Sequence, residues 1–335
     1  MKQLDARDDR RSGRTDRAVL TALLVANAGV WMLALGAFHA RSALLGTALL
    51  AYLLGLRHAV DADHLTAIDN ATRKLMQAGR GTSRVGLCFS LGHSTVVILA
   101  TVALATSSAE LGRHLPLLGR IGGILGSIIS AGFLLLIAAT NLHIALRLRR
   151  HSGRDDVSPL PAPSGMLGRW LRPLFALVRR EWHMYPIGFL FGLGFDTATE
   201  IALLSVAATQ AAHGLPLSSI MLLPLLFTAG MSLVDSGDGL LMARAYGWAM
   251  AEPVRKFRYD MTLTLASAAA ALLIGAIELV GLGGNSGWVA MLATRVQAHF
   301  GLLGVAITLV LLALWVALAL HGRHRAVTLA EVNDT

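Results

Sequence analysis

Several apolar segments of this 335-residue chain contain ionisable side chains, which are costly in a hydrocarbon environment. The densest group is the stretch RHAVDADH at residues 57–64, which follows a long apolar run. The full set comprises Arg57, His58, Asp61, Asp63, His64, Asp69, His93, Asp196, Glu200, Asp235 and Asp238. Imidazole nitrogens together with carboxylate oxygens form a donor set suited to Ni²⁺, Co²⁺, Zn²⁺ or Mn²⁺. Mg²⁺ and Ca²⁺ prefer all-oxygen ligands, so the histidines disfavour the abundant hard cations.

The spacing of these residues allows several of them to face one volume. On a regular helix His58, Asp61 and His64 fall within an arc of about 120°. Asp196 and Glu200 are four residues apart and share a helix face. Asp63 would point away from these three residues. Either the helix is unwound there, or Asp63 holds a metal-binding side chain in place without binding the metal itself.

The elements that carry these residues are predicted to be membrane-spanning helices. The chain is 55% apolar and only 15% charged, whereas roughly 25% of residues are charged in soluble domains. Runs of about 20 apolar residues can cross a bilayer as helices. We therefore expect an all-α polytopic membrane protein with eight spans. They lie near 18–38, 43–66, 85–106, 121–145, 186–208, 216–236, 260–281 and 300–320.

The distribution of basic residues predicts the orientation. The tails 1–17 and 321–335, the long loop 146–185 and the other loops on the same side hold 24 of the 29 Lys and Arg residues, and the opposite loops hold 4. Both termini are therefore expected to be cytoplasmic. With helices 1–4 in 18–145 and helices 5–8 in 186–320, the ionisable groups converge at middle to cytoplasmic depth. The net charge of +9 then reflects topology rather than nucleic-acid binding.

Two further features bear on the organisation. GLRHAVDADHLTAI and GLGFDTATEIALL each place acidic residues after a glycine-containing start, on helices of opposite direction, as expected of an inverted repeat with a site at its interface. The single cysteine, Cys88, excludes an internal disulfide and a cysteine-based metal cluster.

Four motifs together resemble one known family. RHAVDADHLTAIDN, LGHSTVV, LGFDTATEI and GMSLVDSGDG occur in the order typical of the nickel/cobalt transporter (NiCoT) permeases. The similarity extends through GLLMARAYGWAM, covers most of 20–320 and is strongest to the bacterial high-affinity nickel permeases.

The resemblance implies a multi-pass permease of the bacterial cytoplasmic membrane that takes up Ni²⁺, and in some members Co²⁺, as substrate, with no prosthetic group. It implies that His58, Asp61, Asp63 and His64 are essential. It assigns metal-ligand or supporting roles to the remaining motif residues, His93, Ser94, Asp196, Thr197, Glu200, Asp235 and Asp238. Ser236 stands where the family commonly has threonine, so a hydroxyl is kept.

Other interpretations remain open from the sequence. Arg57 is expected to pair with Asp61, and Asp69 to support the cluster. His93 could be a hydrogen-bonded core histidine, Asp196 and Glu200 could carry protons, and Asp235 and Asp238 could cap or gate.

The competing functions are metal efflux and, with less support, an intramembrane metalloenzyme. The sequence contains no HExxH motif, which would favour the enzyme. It also contains no P-loop, and it does not imply an ATPase partner. The partners expected are the metal ion and the lipid bilayer.

Overall fold

The fold is seen in a computed structural model that describes residues 2–106, 123–139, 141–142, 178–194, 198–250, 253–282, 288–310 and 313. Within these ranges the chain forms helices and turns, with no strand. The helices are α1 Lys2–Phe38, α2 Ser42–Ala59, α3 Ala62–Gln77, α4 Val85–Thr106, α5 Gly123–Ala139, α6 Met184–Gly192, α7 Ala198–Ala212, α8 Leu217–Ile220, α9 Leu222–Met250, α10 Pro253–Gly281, α11 Trp288–Gln297 and α12 Phe300–Val310.

Five stretches of the described chain are long and apolar enough to cross a membrane. They are Gly13–Phe38, Ser42–Ala59, Val85–Thr106, Leu217–Gly247 and Thr264–Gly281. A sixth is counted if α11 and α12, which meet at a 73° bend, form one broken span. The predicted fourth span is a shorter apolar helix, α5, in its described part. The all-helical class is confirmed, and the count of eight spans stays a prediction.

Three predicted boundaries differ in the structure. The predicted helix 43–66 is two helices, because the chain turns at Val60 and Asp61 and restarts at Ala62. The predicted helix 186–208 is described as α6 and α7, with Leu193 and Gly194 forming a turn after α6. The first helix begins at Lys2 rather than at residue 18. The loop 146–185 is described only from residue 178, and the tail 321–335 lies outside the described residues.

Glycines bring several helix backbones into direct contact. A Cβ added at Gly55 in α2 would overlap the backbone of Phe227 in α9, and one at Gly86 in α4 would overlap the backbone at Asp235. In α12, a Cβ at Gly304 would overlap the carbonyl oxygen of Val60. Small residues allow this close approach in membrane helices. The glycine contacts therefore hold α9 and α12 tightly against the segments that carry the ionisable residues.

Two apolar clusters flank the polar centre of the bundle. One contains Phe89 of α4 and Phe191 of α6, and the other contains Phe227 of α9 and Leu203 of α7. Between them lie the buried histidines and acids, so these polar groups are sealed from both sides by packed side chains. An apolar seal of this kind strengthens electrostatic interactions within the site.

Candidate functional site

Three histidines from three helices meet at the centre of the described bundle. His58 lies in the last turn of α2, His64 in the first turn of α3, and His93 in the middle of α4. All three are buried, and one nitrogen from each lies within 4.8 Å of the other two. The ring centroids are 4.5 Å (His58–His64), 4.8 Å (His58–His93) and 4.9 Å (His64–His93) apart. This spacing would allow all three imidazoles to bind one cation.

The interruption between α2 and α3 explains how His58 and His64 come together. Asp61 has extended dihedral angles (φ −65°, ψ 145°) and is the first residue before α3. The amide of Asp61 donates to the carbonyl of His58 at 3.0 Å, which makes the turn tight. An aspartate is a favoured residue at this position, and another acid in the first turn, here Asp63, suits the positive end of the helix. Of the two alternatives for Asp63, the structure therefore shows the unwound helix.

Carboxylates surround the three imidazoles. Glu200 of α7 accepts a hydrogen bond from Nε2 of His93 at 2.8 Å, and that nitrogen lies 3.0 Å from Nε2 of His58. Asp61 Oδ2 lies 3.3 Å from Nδ1 of His58 and 3.2 Å from Arg57 Nη1, so the expected Arg57–Asp61 pair is present. Asp235 Oδ2 of α9 lies 3.6 Å from Nδ1 of His64.

Several polar atoms of this cluster have no hydrogen-bond partner among the described residues, although they are buried. They are both ring nitrogens of His64, Nδ1 of His93, Oδ1 of Asp61, Oδ1 of Asp63, both carboxylate oxygens of Asp235, and the hydroxyls of Ser94 and Ser236. Buried polar atoms are almost always paired, because leaving one unpaired costs about 1–3 kcal/mol. Unpaired donors and acceptors converging on one volume are typical of a site that receives a ligand.

The helix ends at the site also affect its charge. The first turns of α3 and α7 present the positive ends of their dipoles, whereas the last turn of α2 presents a negative end. Asp61, Asp63 and Glu200 lie at these positive ends. Their carboxylates can offset the positive ends, which would otherwise oppose a cation.

The predicted residues separate into groups in the structure. His58, Asp61, His64, His93, Glu200 and Asp235 lie together, Asp63 lies beside His64, and Ser94 follows His93 in α4. Asp69 and Asp238 instead belong to a second polar group further along α3 and α9. Asp196 and Thr197 lie outside the described residues.

Four residues in or near the site are not identified by the sequence pattern. Thr199 Oγ1 lies 3.2 Å from His58 Nδ1, and its signal was its place within the DTATE motif. Arg73 lies beyond the predicted helix 43–66, where the sequence predicts a cytoplasmic loop, but it is buried in α3. The rings of Phe89 and Phe227 also contact His64 and His58, with centroids 4.9 and 5.5 Å away.

Comparison with known proteins identifies the family. Residues 44–321 match the family model of the high-affinity nickel-transport proteins. A high-affinity nickel transport protein of Cupriavidus necator is 53% identical over 274 residues, which are 79% of this chain and 78% of that protein. The nickel transporter NixA of Staphylococcus aureus is 46% identical over 245 residues, 71% and 72% of the two chains.

A more distant relative is named as a transporter of a different metal. The cobalt transport protein NhlF of Rhodococcus rhodochrous is 37% identical over 289 residues, 82% of each chain. No solved structure matches. The family is one of transport proteins rather than of enzymes, and the chain belongs to this family of high-affinity nickel-transport proteins.

Proposed function

We propose that this chain is a permease that takes up Ni²⁺, and also Co²⁺, across the bacterial cytoplasmic membrane. The observation that carries the proposal is the group of three buried imidazoles whose nitrogens lie within 4.8 Å of one another. Imidazole is a good ligand for Ni²⁺ and a poor one for Mg²⁺ or Ca²⁺. Relatives named as nickel transporters support the choice of metal.

In this proposal His58, His64 and His93 bind the metal directly. Asp61, Asp63, Glu200 and Asp235 supply the negative charge that makes a dication tolerable in a low-dielectric site. The sequence adds Asp196 and Thr197 as further candidate ligands or supporting groups. Arg57 and Ser94 are proposed to hold the acids and histidines in position.

The break between α2 and α3 supports a site that moves ions rather than one that stores them. Discontinuous helices in transporters expose carbonyl groups and helix ends at the ion site. A break also gives a bundle a point at which two half-helices can rotate. Thr199 and Glu200 at the start of α7 contact His58 and His93, as would be expected if α7 belonged to the second half of an inverted repeat.

The experiment is ⁶³Ni accumulation in cells that express the wild type, His58→Ala or His64→Ala. Because each substitution removes one of three nitrogen ligands, we expect at least a tenfold loss of uptake with the protein still in the membrane. His213→Ala is the matched control, since His213 is exposed beyond α7 and should keep wild-type uptake. A wild type that lowers cellular nickel would indicate efflux instead, and wild-type uptake in either site variant would refute the assigned site.

A further inference from the structure

Arg73 is the largest side chain that is fully buried in the described part of the chain. Its residue is 2% exposed and lies in α3, nine positions beyond His64, which corresponds to roughly 14 Å along the helix axis. An arginine stays charged at every physiological pH, and a charge placed in the interior is costly unless it is compensated. Such a residue needs an explanation in a chain whose proposed substrate is itself a cation.

The hydrogen bonds of Arg73 go to neutral groups. Nη1 donates to Thr264 Oγ1 of α10 at 2.5 Å, and Nη2 lies 3.5 Å from Asn70 Oδ1, which also accepts from Asn141 at 2.6 Å. Nε has no partner among the described residues, and no described carboxylate lies within 4.0 Å of the guanidinium. The guanidinium is therefore held in place by hydrogen bonds while its charge is left without a direct ion pair.

The compensating charges are the two acids of the second polar group. Asp69, one turn before Arg73, accepts from Tyr246 of α9 and from Ser267 of α10 (3.0 Å), and it interacts electrostatically with Arg73. Asp238 is 8% exposed, interacts electrostatically with Asp69 and Asp235, and its Oδ2 has no described partner.

Beyond the metal site α3 and α9 run side by side, since Asp235 of α9 lies next to His64 and Tyr246 of α9 donates to Asp69 of α3. The acids between these two helices form a line, with Asp238 one turn beyond Asp235 and Asp69 one turn before Arg73. The line runs toward the residues that follow α3, which the basic-residue count places on the cytoplasmic side. It is thus a polar route by which a cation could leave the histidines.

Acids along such a route create a difficulty. Three carboxylates would attract the departing dication and hold it, which would slow release. A fixed positive charge beside the acids solves both problems, because it balances their charge when the route is empty and lowers their affinity for the cation when it arrives. Electrostatic repulsion of this kind acts over several ångströms and needs no contact.

We propose that Arg73 is a tethered counter-cation that speeds metal release from the acids at the inner end of the site. The inference rests on the proposed uptake function and assigns Arg73 a positioning role, through charge, toward Asp69 and Asp238. A purely structural role, in which Arg73 links α3 to α10, makes different predictions. The link depends on the shape of the guanidinium, whereas release depends on its charge.

The test compares Arg73→Gln, Arg73→Lys and the double variant Asp69→Asn/Arg73→Gln. For Arg73→Gln we expect at least a tenfold lower maximal ⁶³Ni uptake rate, no rise in KM, and slower loss of bound ⁶³Ni from purified protein in nanodiscs. Arg73→Lys keeps the charge and should stay within about threefold of wild type in both measurements. The double variant restores the charge balance and should transport faster than Arg73→Gln. Arg244→Gln, at an exposed arginine of α9, is the matched control and should be unchanged.

The possible failures are distinguishable. If the wild type accumulates no ⁶³Ni, the uptake function itself is wrong. If the wild type transports but Arg73→Lys is as slow as Arg73→Gln, with unchanged metal release, Arg73 is a structural link and the proposal is overturned. If Arg73→Gln does not fold, recovery of folded, transporting protein in the double variant supports the charge role, and its absence together with an inactive Arg73→Lys refutes it.

Discussion

The site is suited to a borderline metal ion because the three histidines supply nitrogen donors and the neighbouring carboxylates supply negative charge. His93 shows this division most clearly, since Nε2 interacts with both the imidazole of His58 (3.0 Å) and the carboxylate of Glu200 (2.8 Å). A carboxylate that accepts from a ligating histidine fixes the ring orientation and raises the basicity of the ligand. Glu200 can therefore act on metal affinity through His93, whether or not it also binds the metal.

Glu200→Gln is expected to weaken metal binding rather than abolish folding, because the amide has nearly the same shape but lacks the charge. Substitution of groups that support a metal ligand typically costs about 10–100-fold in affinity. We expect the KM for ⁶³Ni uptake to rise by about that factor, measured at equal amounts of protein in the membrane. Glu181→Gln provides the control, since Glu181 accepts from the backbone of Arg84 outside the site. An unchanged KM in Glu200→Gln would remove Glu200 from the site.

At the scale of the helices, α4 and α6 are locked together by reciprocal glycine contacts that hold His93 in place. A Cβ added at Gly92 would overlap the carbonyl oxygen of Tyr185, and one at Gly188 would overlap that of Phe89. Gly192 lies against the backbone of His93 itself, where an added Cβ would be 2.7 Å from the carbonyl oxygen. The position of His93 is thus set by backbone contact between two helices and has little freedom to adjust.

Gly188→Ala should therefore impair transport without touching a polar group of the site. The added methyl forces α4 and α6 apart, and overpacking of this kind costs about 1–3 kcal/mol. We expect a lower thermal unfolding midpoint in detergent and a higher KM for ⁶³Ni. Gly132→Ala makes the same change at a position of α5 where the added Cβ has no atom of the described residues within 4 Å, and both quantities should match the wild type there. Equal midpoints for the two variants would contradict the tight packing of α4 on α6.

The sequence was sufficient to predict the helices and the residue types of the candidate site, because ionisable side chains are rare in apolar runs and are therefore easily recognised. It was insufficient to predict the break at Val60 and Asp61. Periodicity assumes a regular helix, and the break lies against α12 at Gly304, a contact with a distant part of the chain that no local pattern shows. The burial of Arg73, which lies beyond the predicted helix 43–66, is hidden from the sequence for a similar reason. Its partner Thr264 comes from α10, and Asn70 is bonded by Asn141, so neither contact leaves a local signal.

For the whole molecule, the distribution of charge predicts the direction of transport. The basic residues of the loops predict which side of the membrane is cytoplasmic, and the polar line from His64 through Asp235 and Asp238 to Arg73 is expected to lead toward that side. A dication that follows this line moves with an inside-negative membrane potential. Each charge gains about 2.3 kcal/mol per 100 mV, so Ni²⁺ gains about 4.6 kcal/mol, enough for roughly 10³-fold accumulation without ATP.

The last prediction concerns this driving force and uses purified protein in liposomes with potassium gradients and valinomycin. If Ni²⁺ crosses alone, the steady-state ⁶³Ni ratio should rise about 10³-fold for each 100 mV of inside-negative potential, because two charges move. Exchange for two protons would be electroneutral, so the ratio would ignore the potential and follow the pH gradient, about 100-fold per pH unit. We expect dependence on the potential, with His58→Ala liposomes as the control for leakage. A ratio that responds to pH alone would contradict this expectation and show that protons move outward as the metal enters.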